Sequence, residues 1–219
     1  VKRSLNQVVQ TLDSLWRETE RDEPGRAHFI DQLRRRLADV RAIHPDLGAD
    51  DAGGAGRRPA FGDLVEKAAA LEKELPSPFS CFIHGDFNND NIIYDEVADR
   101  IYFIDLHRSR YTDYVQDISV FLVSSLRLPV FDRKLRERIN AVIRTFFDFA
   151  EGYAGKRGDT TFHARLGLGL ARSLVTSTRF ALDRNFAREM FFRGRRILER
   201  LVACSDPAAY RVDRDNLSF

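Results

Sequence analysis

Apolar residues recur at steps of three and four through most of this chain, a spacing that predicts amphipathic helices. Leu5, Val8, Val9, Leu12, Leu15 and Trp16 mark one over residues 4–22, with Ser4 as its N-cap and Pro24-Gly25 as its stop. Phe29, Ile30, Leu33, Leu37 and Val40 mark a second. Leu64, Val65, Ala68, Leu71 and Leu75 mark a third, which ends before Pro76 and Pro78. The polar, Gly-rich stretch between the second and third reads as a flexible loop over about 46–60. The period then changes. Residues 80–83 (SCFI), 91–95 (NIIYD) and 100–105 (RIYFID) are short β-branched or aromatic runs, and the last two are joined by EVAD, a hairpin-length connection. From Val115 the helical period returns, with helices expected near 115–126, 131–151, 159–182 and 185–204. The fold class is therefore α+β, mainly α-helical, with a small β-hairpin at its middle.

At 219 residues the chain is long enough for one sizeable core, and we read 1–219 as a single domain. No apolar run approaches the ~20 residues of a membrane span, so no membrane partner is expected. Two cysteines, Cys81 and Cys204, make no disulfide framework or zinc motif, so a reducing, cytoplasmic setting is the default. The net charge of +2 argues against a dedicated nucleic-acid binder. Its distribution is uneven. Residues 1–119 carry 16 basic and 22 acidic side chains (−6), and residues 120–204 carry 17 and 8 (+9). The arginines at 188, 193, 195 and 196 read as a solvated helix face, and Phe146, Phe147, Phe149, Phe191 and Phe192 as helix-packing core. The sequence begins with Val, and its only Met is Met190. This leads us to expect a domain cut from a longer protein.

The chemistry is concentrated in IHGDFNNDNIIYD (83–95) and FIDLHRSRYTDYVQDIS (103–119). Asp86 and Asn91 lie five apart on a polar loop between two apolar strands, and Asp105 is expected to end the next strand. Three such groups at one end of a small sheet can converge. Mg²⁺ prefers hard oxygen ligands in an octahedron and keeps waters, so Asn and Asp together with substrate phosphates form a sensible set. A further carboxylate can then orient a hydroxyl and accept its proton. The Asp-x-x-x-x-Asn spacing is that of a phosphoryl-transfer loop.

With HGDFNNDN, the FID strand end and Asp113-Tyr-Val-Gln-Asp117-Ile-Ser119, the sequence resembles the aminoglycoside phosphotransferase and choline kinase-like family of small-molecule kinases. The resemblance is strong over about 82–119. It implies the C-terminal lobe of a protein-kinase-like fold, whose hairpin carries the catalytic and metal-binding loops. Asp86 would be the catalytic base, and Asn91 and Asp105 would hold Mg²⁺. His84 would brace the loop, and Asp117 would accept hydrogen bonds from its backbone N–H groups. The partners implied are ATP and a small hydroxyl-bearing acceptor. Asn88, Asp90 and His107 are candidates for substrate or phosphate contacts, although Asn88 and Asp90 also suit a turn. Asp113 reads as a helix N-terminal residue.

Many family members carry His two residues after the catalytic Asp, then Pro-Gly or Pro-Ser; here Asn88, Asn89 and Asp90 stand instead. The family's N-terminal ATP-binding lobe also has no counterpart. No Lys lies in a strand before the HGD loop, and Gly53, Gly54 and Gly56 fit no phosphate loop. The chain thus reads as a catalytic lobe that is inactive alone. The alternative is a kinase-like binding or regulatory module without catalysis. A two-metal phosphohydrolase lacks a second His/Asp cluster, and a protein kinase lacks the D-F-G and A-P-E strings.

Overall fold

The computed structural model describes residues 2–48, 59–130 and 132–217. The loop expected over about 46–60, with its glycines, lies mostly outside them. The chain divides into two compact units, one made of Val1–Ala27, Pro76–Phe162 and Asp213–Phe219, the other of His28–Leu75 and His163–Val212.

The first unit holds α1 (Lys2–Glu18), β1 (Cys81–Ile83), β2 (Ile92–Asp95), β3 (Arg100–Phe103), β4 (Arg110–Thr112), α4 (Val115–Leu126) and α5 (Arg133–Lys156). Leu5, Val8, Leu12 and Trp16 form the buried stripe of α1, the i, i+3, i+4 pattern read from sequence. Trp16 stacks on Phe149 and meets Tyr153 and Tyr114 at ring-centroid distances of 5.2 and 5.5 Å. Aromatic pairs at this spacing fix geometry as well as burying area. Helix α4 is buried almost all round, so its apolar positions cannot be confined to one stripe. Strands β2 and β3 form the expected antiparallel hairpin, with Ile92 opposite Phe103 and Asp95 opposite Arg100. Its turn is closed by Asp95 Oδ1, which accepts the N–H groups of Val97 and Ala98. Two details depart from expectation. Strand β3 stops at Phe103, two residues before Asp105. A fourth strand, β4, pairs antiparallel with β1, Cys81 opposite Thr112 and Ile83 opposite Arg110.

The second unit holds α2 (Phe29–Ile43), α3 (Phe61–Lys73), α6 (Phe162–Ser177, apart from its first residue) and α7 (Arg184–Val202). Gly194 on α7 allows close packing, because a Cβ there would sit 2.9 Å from Val175 Cγ2 and 3.1 Å from the Ala171 carbonyl oxygen. Phe146, Phe147 and Phe191 are buried, each in its own unit, as helix-packing residues. The arginine face expected on α7 is only partly exposed. Arg188 and Arg196 are exposed, but Arg195 is buried. Its Nε donates to Glu199 and its terminal nitrogen to the Pro59 carbonyl, both at 2.8 Å. A guanidinium can be buried when its fork of donors finds such acceptors.

Helix α2 starts after His28, whose side chain makes no capping bond. Glu72 of α3 caps it instead, accepting from the N–H groups of Phe29 and Ile30. Burial pushes the Glu72 carboxyl above its ordinary range, while these two N–H groups pull it down. No described helix is long and apolar enough to cross a membrane. Glu72→Ala is expected to destabilise this unit by about 1–2 kcal/mol, the usual cost of a lost N-terminal cap, measured by urea unfolding.

Candidate active site

The HGD turn follows β1 and rests on the first turn of α4. The N–H of His84 donates to Asp117 Oδ2 and that of Gly85 to Asp117 Oδ1, each at 2.8 Å. Beside it, Gln116 Nε2 donates to the Gly85 carbonyl at 2.7 Å. A buried carboxylate that accepts two backbone N–H groups forms strong, charge-assisted bonds. Asp113 begins the helix as a turn residue, its Oδ1 accepting from Val115 N–H.

His84 is buried and joins the loop to the segment that follows β3. Its Nε2 lies 2.8 Å from the Ile104 carbonyl, which can only accept, and its Nδ1 lies 3.3 Å from the Asp86 N–H, which can only donate. The proton is therefore on Nε2. Phe87 packs beneath, edge-on to Phe103 and against Phe121.

Gly85 has φ +84°, and a Cβ there would fall 2.3 Å from the Arg108 carbonyl oxygen. The missing side chain lets the Arg108 backbone close over the loop, and Arg108 then reaches Asp86 Oδ2 at 2.9 Å. Asp86 Oδ1 makes no hydrogen bond among the described residues. Asn91 joins the two halves of the site. Its Nδ2 donates to the Asp86 carbonyl at 2.8 Å, while its own carbonyl accepts from Ile104 N–H at 3.1 Å. With the amide nitrogen engaged, Asn91 Oδ1 is left available. Asp105, the next residue after Ile104, has φ +60° and starts a 3₁₀ turn over Leu106–Arg108. His107 Nδ1 meets Asp105 Oδ1 at 2.5 Å, and Arg108 Nε donates to His107 Nε2 at 3.2 Å. A chain of hydrogen bonds thus runs Asp105–His107–Arg108–Asp86.

The structure brings Asp86, Asn91, Asp105, His84, Asp117 and His107 into one connected network. Asn88 and Asp90 are held differently. Asn88 Oδ1 accepts from Asp90 N–H and caps the 3₁₀ turn Asn89–Asn91, and Asp90 is exposed. Sequence reasoning missed Arg108, Gln116 and Asn89, whose N–H and side chain bond Ser124 and Ser125 of α4. Cys81, at the foot of the loop, is buried, and burial pushes its thiol up, aided by the Asp117 and Asp113 charges.

Among the described residues, no group of three or more His, Cys, Asp or Glu side chains comes together as a metal site. A divalent ion here would need the Asn91 amide oxygen, Asp105 Oδ2 and non-protein ligands. That donor set fits Mg²⁺, which takes few protein oxygens and retains water.

Asp117→Asn replaces one acceptor with a donor facing an N–H group, and a loss of about 2–4 kcal/mol is expected by denaturant titration. Gly85→Ala combines positive φ with a clash against backbone. It should cost more than about 2 kcal/mol, and amide-exchange measurements should show the 106–109 segment loosened.

The sequence profile of the phosphotransferase enzyme family (APH) matches residues 5–154. Among curated proteins, none matches the sequence. Among solved structures, choline kinase LicA from Streptococcus pneumoniae superposes with a TM-score of 0.48 at 13% identity, over 90% of this chain and 63% of its own. A choline/ethanolamine kinase family protein from Mesorhizobium loti superposes with 0.48 at 16% identity, over 91% and 65%. The chain thus spans less than two thirds of either neighbour's length. The profile match covers most of the chain and includes the whole loop just described, and the chain belongs to the phosphotransferase enzyme family.

Proposed function

We propose that this chain is the catalytic lobe of an ATP-dependent, cytoplasmic small-molecule kinase that transfers the γ-phosphoryl group to a hydroxyl. The observation that carries this reading is the pair of hydrogen bonds at Asn91, whose side-chain N–H donates to the Asp86 carbonyl and whose backbone carbonyl accepts from the Ile104 N–H. It draws Asp86 and the Ile104–Asp105 segment to one place.

Each residue then has a part. Asp86 Oδ1 accepts the hydrogen bond of the acceptor hydroxyl, aims its oxygen and takes its proton as the new P–O bond forms. Arg108 keeps the other Asp86 oxygen occupied, so that Oδ1 alone faces the acceptor. Asn91 Oδ1 and Asp105 Oδ2 would hold Mg²⁺, which when bound supplies positive charge to the ATP phosphates. His84 and Asp117 keep the loop rigid, so that catalysis rests on positioning and fixed charge.

An exposed apolar face supports the need for a further lobe. Ile93 and its cross-strand partner Tyr102 are each 47% exposed, and Ile104, two residues on, is 42% exposed. Ile93 and Tyr102 share one side of the hairpin, and Ile104 follows β3 directly before Asp105. A nucleotide base and an ATP-binding lobe supplied by a longer protein would cover them.

The test is phosphoryl transfer from labelled ATP to a panel of hydroxyl compounds, using the protein translated from its full reading frame. Asp86→Asn should lower kcat by about 10²–10⁴ while nucleotide binding persists. Near-normal turnover would overturn the base assignment. Residues 1–219 alone should show little or no turnover, and measurable activity would overturn the catalytic-lobe reading.

A further inference from the structure

Arg110 stands beside the HGD turn with its charge uncompensated. It opens β4 opposite Ile83, and its side chain is directed to the first turn of α4. There its Nη2 donates to Gln116 Oε1 at 3.3 Å. The amide presents its oxygen to Arg110 because Gln116 Nε2 is committed to the Gly85 carbonyl, at 2.7 Å. One side-chain amide therefore separates the guanidinium from the turn that carries Asp86. Arg110 is exposed, and among the described residues it makes no ion pair. The acidic groups of the loop and of the start of α4 are engaged elsewhere. Asp117 accepts the N–H groups of His84 and Gly85, Asp113 accepts that of Val115, and Asp86 is held by Arg108.

A guanidinium carries its N–H donors in a planar fork that matches a carboxylate or a phosphate. A single bond to a neutral amide oxygen orients that fork without neutralising it. The remaining donors and the positive charge are left for a ligand, beside the turn that presents Asp86. An anionic group placed there gains charge-assisted hydrogen bonds. A cationic group placed there meets like charge.

We propose that Arg110 is an acceptor-binding residue and that the acceptor is an anionic hydroxyl compound, whose carboxylate or phosphate is held by Arg110 while its hydroxyl meets Asp86. This assignment rests on the phosphoryl-transfer function proposed above and narrows its substrate class. Gln116 is a positioning residue in it. It touches no substrate, and it holds the Arg110 guanidinium at a fixed separation from the Gly85 carbonyl.

Two measurements test it. In the first, acceptors for the protein translated from its full reading frame are arranged in matched sets, each a hydroxy acid, its neutral amide and the corresponding amino alcohol, with sugar phosphates beside the free sugars. The anionic member of a set is expected to be the best acceptor. Arg110→Gln should raise the KM of anionic acceptors about 10–100-fold, with kcat within a few-fold and with the KM of ATP and the use of neutral members unchanged. Arg110→Lys, which keeps the charge and loses the fork, should recover part of the loss. Turnover confined to neutral or cationic acceptors, or an effect on the KM of ATP in place of the acceptor, overturns the inference and leaves phosphoryl transfer standing.

In the second, glycerate, glyceramide and inorganic phosphate are titrated into chain 1–219, and the backbone amide signals are followed. Glycerate and phosphate should move those of Gly85, Arg110 and Gln116, glyceramide should not, and Arg110→Gln should abolish the response. If this response is present while no acceptor is turned over, the phosphoryl-transfer function and the acceptor role of Arg110 both fall, and an anion site at Arg110 remains. If glycerate and glyceramide act alike, or Arg110→Gln responds as the parent does, the anion site itself is overturned, whatever the turnover.

Discussion

The site hangs from one buried carboxylate. Asp117 is fully buried, and its two oxygens accept the N–H groups of two consecutive residues, His84 and Gly85. Buried charge is costly unless it is paired or fully hydrogen-bonded. Here the loop supplies donors, and the first turn of α4 adds the positive end of a helix dipole. The exchange is mutual. The turn between β1 and the 3₁₀ segment has no regular partner strand of its own, so without Asp117 its N–H groups would be buried and unpaired. Gln116 closes the third polar group of the turn, the Gly85 carbonyl. Two adjacent side chains on a packed helix thereby set the backbone on which Asp86 stands.

Above this foundation, two ties divide the work. Asn91 arranges backbone, joining the Asp86 carbonyl to the Ile104 N–H. Arg108 and His107 arrange side chains, joining the Asp86 and Asp105 carboxylates through a run of donors and acceptors. The first tie is largely buried and the second is exposed. The exposed tie is the more easily changed by ligands and solvent, whereas the buried one sits on the aromatic layer of Phe87, Phe103, Phe121 and Phe146. Such a layer resists deformation because packed rings cannot slide without opening voids.

Much of this was readable from residue order. The stripe of Leu5, Val8, Leu12 and Trp16, the hairpin around EVAD and the start of α4 after Asp113 follow from local periods and turn chemistry. The Asp86-to-Asn91 spacing pointed to one loop, and the two residues do meet there, the Asn91 side chain on the Asp86 carbonyl, because short loops with fixed spacing carry their geometry with them. Asn88 as a turn former followed from its own side chain. Strand β4 did not, because Arg110, Tyr111 and Thr112 carry no alternating pattern. Only their pairing with Cys81, Phe82 and Ile83 makes them a strand. Nor does the regional charge count show that Arg165, Arg172 and Arg195 are buried.

By itself the sequence determined most of the helices, the hairpin and the short loop that carries Asp86 and Asn91, since each depends on neighbours a few positions away. Tertiary structure alone decided that Arg108 would hold Asp86 from 22 residues downstream. Arg108's reach to Asp86 requires its backbone to pass against Gly85 more closely than any side chain would allow. Such an approach is set by packing between distant segments, and no local pattern encodes it.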